Sequence, residues 1–230
     1  MTLKLKVKRA IPPSVLNNFL LTFPFLYRTK LVNYEANLQP NHGIDELLKL
    51  LGMVLRVEGN IIECGSSRCG TSIIMANYLR AKDVGKIIYA CDSFQGFDPT
   101  ELEKERQAGL TKASHKTFTS TSYNYVKRKI NKLGFEDIVI PIRGFFRDTL
   151  PEIESNFCFA LIDCDLKESI IYCAETIWPH LMNNGVIVFD DYTSEEYRGG
   201  RDGIDYFVNE HESEFSEHGL MTRLYYVCKK

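Results

Sequence analysis

Gly59-Asn60-Ile61-Ile62-Glu63-Cys64-Gly65-Ser66-Ser67-Arg68-Cys69-Gly70-Thr71-Ser72 reads as an apolar strand, an acid at its end, a turn of small residues and the start of a helix-forming run. In an open parallel sheet such a crossing leaves backbone N–H groups and a helix N-terminus facing the crevice beyond the strand ends. Small side chains let the backbone approach a ligand closely. The stretch therefore predicts an α/β fold with a cofactor held at this turn.

Spacing narrows the cofactor. Gly65 and Gly70 stand at P-loop distance, but Thr71 occupies the place where a lysine must follow, which argues against nucleoside triphosphates. Of the dinucleotide fingerprint G-x-G-x-x-G only the first glycine is cleanly in place. Glu63 would repel a pyrophosphate and suits a cation or a hydroxyl network. S-adenosylmethionine carries an ammonium and a sulfonium and fits that requirement. Glu63, Gly65, Ser66, Ser67, Thr71 and Ser72 are then the candidate cofactor contacts of the first crossing. The run Lys86-Ile87-Ile88-Tyr89-Ala90-Cys91-Asp92-Ser93-Phe94 is a second apolar strand ending in an acid, and Asp92, with Ser93 beside it, is placed to accept bonds from ribose hydroxyls. A helix cap or turn role for Asp92 stays open.

The whole chain agrees with an enzyme domain. Its 230 residues are 44% hydrophobic and 25% charged, enough for one good core with a lid or arm. A net charge of -2 offers no basic surplus for phosphate neutralisation and argues against a nucleic-acid partner. The seven cysteines are odd in number and lack a Cys-x-x-Cys pair, so they read as buried thiols of a reducing, cytoplasmic compartment. Residues 1–30 carry Lys4, Lys6, Lys8, Arg9, Arg28 and Lys30 and no acid around an apolar stretch from Val15 to Tyr27. Asn17, Asn18 and Pro24 break that stretch, which is too short to span a membrane and lacks a signal-peptide cleavage site. Residues 1–40 are expected to be a helical arm on a homo-oligomeric partner or over the substrate pocket, and residues 41–230 the catalytic domain.

From Asn41, a plausible cap, Ile44, Leu47, Leu48, Leu51, Val54 and Leu55 fall on one helical face. Five apolar runs then alternate with helices, at 60–64, 86–91, 138–142, 157–162 and 186–189. A helix from about Arg201 and a last strand near 223–227 follow. This pattern predicts a doubly wound, mostly parallel sheet covered on both faces, with the last strand as an antiparallel edge. The polar stretch 99–121 lies at the ligand end of the second strand and is a candidate lid. Strand four closes as Ile162-Asp163-Cys164-Asp165 and strand five as Phe189-Asp190-Asp191, so several carboxylates meet the same crevice. They would repel one another unless a cation joined them, and Mg²⁺ suits carboxylates that leave positions for water and substrate. Turn or cap roles for these acids also stay open. The histidines at 42, 115, 180, 211 and 218 have no zinc-like spacing.

From about Gly59 to Phe207 the chain resembles the macrocin-type O-methyltransferases, class I enzymes that use S-adenosylmethionine to methylate sugar hydroxyls in natural products. The matching blocks are Ile62-Glu63-Cys64-Gly65 with Arg68 and Gly70, Asp92-Ser93-Phe94 with Gly96-Phe97, and Gly144-Phe145-Phe146 with Asp148-Thr149-Leu150-Pro151. Ile162-Asp163-Cys164-Asp165-Leu166 with Glu168-Ser169, Gly185 to Tyr192, and Gly200-Arg201 with Ile204-Asp205 and Phe207 complete the series. The resemblance implies a Rossmann-like, doubly wound, mostly parallel seven-stranded sheet, in which Glu63, Gly65 and neighbouring backbone hold the methionyl end, Asp92 the ribose, and Gly144 and Phe145 the adenine, with Asp163 bordering the cofactor. It implies Mg²⁺ on Asp163, Asp190 and Asp191, and a hydroxylated small molecule, a sugar or polyol, as acceptor. Asp163 or Asp165 is then the candidate base, with Lys167 less favoured because neighbouring carboxylates would raise its pKa. Arg147, Arg198 and Arg201 are available to an anionic acceptor such as a nucleotide sugar. A phenol or catechol acceptor, a nicotinamide oxidoreductase and a non-catalytic cofactor-binding scaffold are the alternatives. Cys69 departs from the family by replacing a small glycine.

Overall fold

Seven strands form one sheet in the order β3-β2-β1-β4-β5-β7-β6 in the computed structural model, which describes Glu35, Ala36 and residues 43–230. The strands are β1 (Asn60–Cys64), β2 (Ile88–Asp92), β3 (Val139–Arg143), β4 (Phe157–Ile162), β5 (Leu181–Phe189), β6 (Phe215–Leu220) and β7 (Tyr225–Lys229). The first five are parallel, and β7 runs antiparallel to both β5 and β6. Most of the N-terminal arm and the Asn41 cap lie outside the described residues.

Helices cover both faces because every inner strand is apolar on both sides. On one face α1 (Gly43–Met53), α2 (Gly70–Ala81) and α4 (Tyr123–Leu133) bring Leu47, Leu51, Met75, Leu79, Val126 and Ile130 against Ile61, Ile88 and Phe159. On the other, after the short α5 (Phe146–Thr149), α6 (Lys167–Ile177) and α7 (Arg198–His211) bring Ile170, Cys173, Ile177 and Phe207 against Ile62, Ile187 and Phe189. Burial of this kind stabilises by roughly 25 cal/mol per Å² of apolar surface. All seven cysteines are buried and unpaired. Among the described residues no helix is long and apolar enough to cross a membrane.

Several boundaries differ from the sequence reading; β5, for one, begins at Leu181 rather than Val186. β2 starts at Ile88, since Ile87 N–H before it is taken by the Asn60 side chain at 3.0 Å, while the Lys86 ammonium donates to Gly59 O at 2.9 Å beside the start of β1. β6 escaped detection because only its first residue is buried and the next three are exposed, so no apolar run marks this edge strand. The 99–121 stretch begins as a regular helix, α3 (Pro99–Gln107), capped by Asp98 Oδ1, which accepts from Thr100 N–H at 2.8 Å and Glu101 N–H at 3.1 Å. Leu102 and Ala113 pack this insert onto Leu166 and Tyr197. The β6–β7 hairpin is held from α1, where the buried Glu46 carboxylate accepts the N–H groups of Thr222, Arg223 and Leu224 at 2.9, 3.1 and 3.1 Å.

Candidate functional site

A cavity of about 580 Å³ opens at the carboxyl ends of the parallel strands. One wall is the turn between β1 and α2. The N–H groups of Gly65 and Ser66 donate to Cys91 O at 2.9 and 3.2 Å, and Ser67 N–H donates to Asp92 Oδ2 at 2.8 Å. The other Asp92 oxygen accepts Phe94 N–H at 2.6 Å. Turn and strand end thus form one unit, with φ of +93°, +46° and +52° at Gly65, Ser67 and Cys69. Cys69 adopts a left-handed conformation of the kind that favours glycine. Gly144 N–H donates to Asp92 O at 3.0 Å, which brings the β3 end to the same wall.

Gly65, Ser67, Asp92, Ser93, Gly144 and Phe145 line the cavity, together with Asp163 and Asp165. The other candidates of the first crossing stand one layer behind: Ser66, Thr71, Ser72 and Glu63 are buried and do not line it. In this structure those four side chains stand behind the turn whose backbone borders the cavity. The Ser72 hydroxyl donates to Glu63, pinning the first turn of α2 to β1. Burial foremost, with the Asp92 charge added, pushes the Glu63 carboxyl up to about 8.

That displacement has a consequence for stability. The folded protein holds the Glu63 proton more tightly than the unfolded chain, so its contribution is fully present below pH 4.5 and is lost as the pH rises through about 8. At pH 7 the loss relative to acid is about 3 kcal/mol. Glu63→Gln keeps an acceptor for Ser72 without the titration, so its stability relative to wild type should rise steadily between pH 5 and pH 8 in paired denaturant melts. A difference independent of pH would contradict this.

The opposite wall is acidic. Asp163 follows β4 and Asp190 follows β5, their N–H groups continuing the sheet to Cys64 O at 2.9 Å and Ile162 O at 3.1 Å. Asp163, Asp190 and Asp191 are all buried, and one carboxylate oxygen from each lies within 4.8 Å of the others. Asp163 Oδ2 is buried without a hydrogen-bond partner. Burial, then the charges of Asp190, Asp191 and Asp165, hold the Asp163 carboxyl well above the usual range, and burial with Asp190 pushes Asp191 up to about 7. Asp165, in the left-handed region at φ +65°, donates its N–H to Asp191 Oδ2 at 2.9 Å. Three hard oxygen donors, one with an idle oxygen and two crowded by their neighbours' charges, fit a small divalent cation such as Mg²⁺.

Arg223 is a residue the sequence reading missed. Its guanidinium makes two 2.6 Å bonds to the Asp190 carboxylate, a fork geometry that fixes the carboxylate plane. Nothing near Arg223 in sequence announces this, since the contact depends on β7 lying beside β5. Phe97, Phe118, Glu101, Arg147 and Tyr197 also line the cavity. Lys167 does not; its N–H donates to Glu105 Oε1 at 2.6 Å, and the adjacent Glu168 pairs with Lys104 at 2.8 Å.

Residues 43–215 match the family model of the macrocin O-methyltransferases (TylF). The chain is 29% identical over 148 residues to the 8-demethyl-8-(2,3-dimethoxy-alpha-L-rhamnosyl)-tetracenomycin-C 4'-O-methyltransferase of Streptomyces olivaceus, an alignment covering 62% of this chain and 56% of that protein. It is 30% identical over 171 residues to the demethyldecarbamoylnovobiocin O-methyltransferase of Streptomyces niveus, covering 70% of this chain and 64% of the relative. The alignments thus span less than two thirds of either relative. In three dimensions the fold superposes on the structure of the O-methyltransferase NovP with a TM-score of 0.72 and 21% identity, over 95% of this chain and 99% of that one.

Proposed function

The chain belongs to the macrocin O-methyltransferase family, and from that premise we propose that it transfers a methyl group from S-adenosylmethionine to a hydroxyl of a sugar or polyhydroxylated small molecule, with Mg²⁺ assisting, in the cytoplasm. The observation that carries the reading is the juxtaposition, in one cavity, of the Gly65–Asp92 wall and the Asp163, Asp190 and Asp191 cluster.

S-adenosylmethionine, when bound, supplies an electrophilic methyl on a positively charged sulfur. The backbone of Gly65 and Ser67 would receive its methionyl end, Asp92 its ribose, and Gly144 and Phe145 its base. Asp163, Asp190 and Asp191 would hold Mg²⁺, which when bound supplies the charge that lowers the pKa of a neighbouring hydroxyl. Asp163 and Asp165 border the acceptor position, and either carboxylate can take the hydroxyl proton there. Orientation of the acceptor oxygen in line with the methyl is the main task left to the cavity walls.

Isothermal titration tests the assignment. S-adenosylmethionine is expected to bind wild type and Asp190→Ala with similar affinity, while Mg²⁺-dependent methylation of a diol or glycoside panel falls at least a hundredfold in the variant. Absence of cofactor binding in the wild type would overturn the methyltransferase reading. Full activity of the variant would overturn the metal assignment alone.

A further inference from the structure

Lys129 stands on the buried face of α4, beside Tyr125, Val126 and Ile130, and its side chain is fully buried. An ammonium is kept in such a place only where charge and hydrogen-bond partners meet it. Two of them come from separate parts of the chain. The Glu35 carboxylate, ahead of α1, forms an ion pair with the ammonium, and Arg68 O, in the turn between β1 and α2, accepts from it at 2.8 Å. Burial pulls the ammonium below the usual lysine range, and the Glu35 charge pulls the other way. Glu35 is itself buried, with Tyr125 Oη donating to its Oε1 at 2.7 Å and the Arg68 guanidinium 3.8 Å from the same oxygen. Its backbone rests on the start of α2, where a Cβ on Gly70 would collide with Glu35 O and Ala36 N.

Arg68 sits between two residues with left-handed backbone, Ser67 at φ +46° and Cys69 at φ +52°. Neither is glycine, so the turn is held against its own preference by what surrounds it. Asp92 fixes Ser67 N–H, Ser66 O accepts Cys69 N–H at 2.6 Å, and Lys129 fixes the carbonyl between them. Because a peptide unit is planar, holding Arg68 O sets the plane of the whole Arg68–Cys69 link. The Arg68 side chain extends the brace, its Nε donating to Thr121 Oγ1 at 3.1 Å. Ser67 and Thr121 both line the cavity, whereas Lys129 and Glu35 do not. A buried ion pair stabilises a fold little more than a well-packed apolar residue of the same size. What an apolar residue at this place could not do is hold a carbonyl.

Building on the methyltransferase reading, we propose that Lys129 is a positioning residue for S-adenosylmethionine: paired with Glu35, it holds the Arg68–Cys69 peptide and keeps the left-handed turn in the shape that receives the cofactor. Glu35 and α4 thus act on cofactor affinity through the turn.

Titration of S-adenosylhomocysteine, beside thermal melts, tests this on wild type, Glu35→Gln, Lys129→Met and the double variant that combines them. Lys129→Met should melt lower, because it leaves Glu35 buried without its ammonium. The double variant removes both charges and should regain most of that melting temperature. Its Kd should nonetheless stay about tenfold above wild type, since no donor holds Arg68 O. Glu35→Gln keeps the shape of the carboxylate and should weaken binding about threefold. Gly134→Ala, altered at the C-terminal end of the same helix, should bind as wild type does. Recovery of wild-type affinity along with melting temperature in the double variant would make the bridge purely structural and overturn the proposal. So would tenfold weaker binding by Gly134→Ala, or wild-type affinity in Glu35→Gln, the variant that decides the matter should the Lys129 variants not fold. Failure of the wild type to bind S-adenosylhomocysteine would instead count against the methyltransferase reading, and this inference would fall with it.

Discussion

Asp163→Asn is expected to lower the rate of methyl transfer by at least a thousandfold while S-adenosylmethionine still binds within about threefold of wild type, and to make the cofactor-free protein more stable. The two directions have one cause. Asp163 is buried beside Asp190, Asp191 and Asp165, with one oxygen lacking a hydrogen-bond partner. Crowding of that kind destabilises the fold and is tolerated where it builds a site. Asparagine keeps the shape and removes the acid, so about 1–2 kcal/mol of stability should be regained in denaturant melts without metal. The loss of activity, about 4 kcal/mol in barrier terms, would come from the missing metal ligand and proton acceptor together. Single-turnover kinetics with saturating cofactor, beside an apo-protein melt, reads both. An active variant that is not stabilised would remove Asp163 from the centre of the site.

Gly65→Ala should be the most damaging change to the fold. At φ +93° a Cβ on this residue would lie 1.7 Å from Asp163 O and 2.6 Å from Asp163 C, both backbone atoms of the neighbouring strand. No side-chain rotation relieves that contact. β1 and β4 would have to part at the point where the cofactor wall meets the acidic wall. The expected result is a loss of at least about 3 kcal/mol, or failure to accumulate folded protein, together with loss of cofactor binding. Gly134→Ala is the matched control. Gly134 also has positive φ, at +71°, but a Cβ there would meet nothing within 4 Å, so the cost should stay near 1 kcal/mol. Similar melting temperatures for the two variants would refute the steric argument.

What the sequence disclosed follows from what each feature depends on. The parallel strands were legible because they are buried on both faces, and Phe157–Ile162, buried at all six positions, is the extreme case. The acids at the strand ends were legible for the same reason, since topology sends all parallel strand ends to one crevice. Glu63 stands one layer behind the cavity lining. Its position at the strand end is right, but the alternation of side chains turns it away from the cavity toward Ser72, and only packing decides which face that is. Arg223 left no trace in sequence because its contact with Asp190 depends on the pairing of β7 with β5. The hairpin that carries Arg223 includes a strand with three consecutive exposed residues, which periodicity cannot detect.

The strand order has a consequence for the chain as it is made. β7, the last strand in sequence, lies inside the sheet between β5 and β6 rather than at its edge. A nascent chain that has emerged only as far as β6 presents β5 as an open edge, with Val186 to Phe189 unpaired on one side, a surface prone to join other chains. Asp190 meanwhile lacks Arg223, and Glu46 lacks the three backbone amides it collects from the hairpin. Final closure of the sheet and charge balance of the acidic cluster are therefore one event, which waits for the β6–β7 hairpin to emerge.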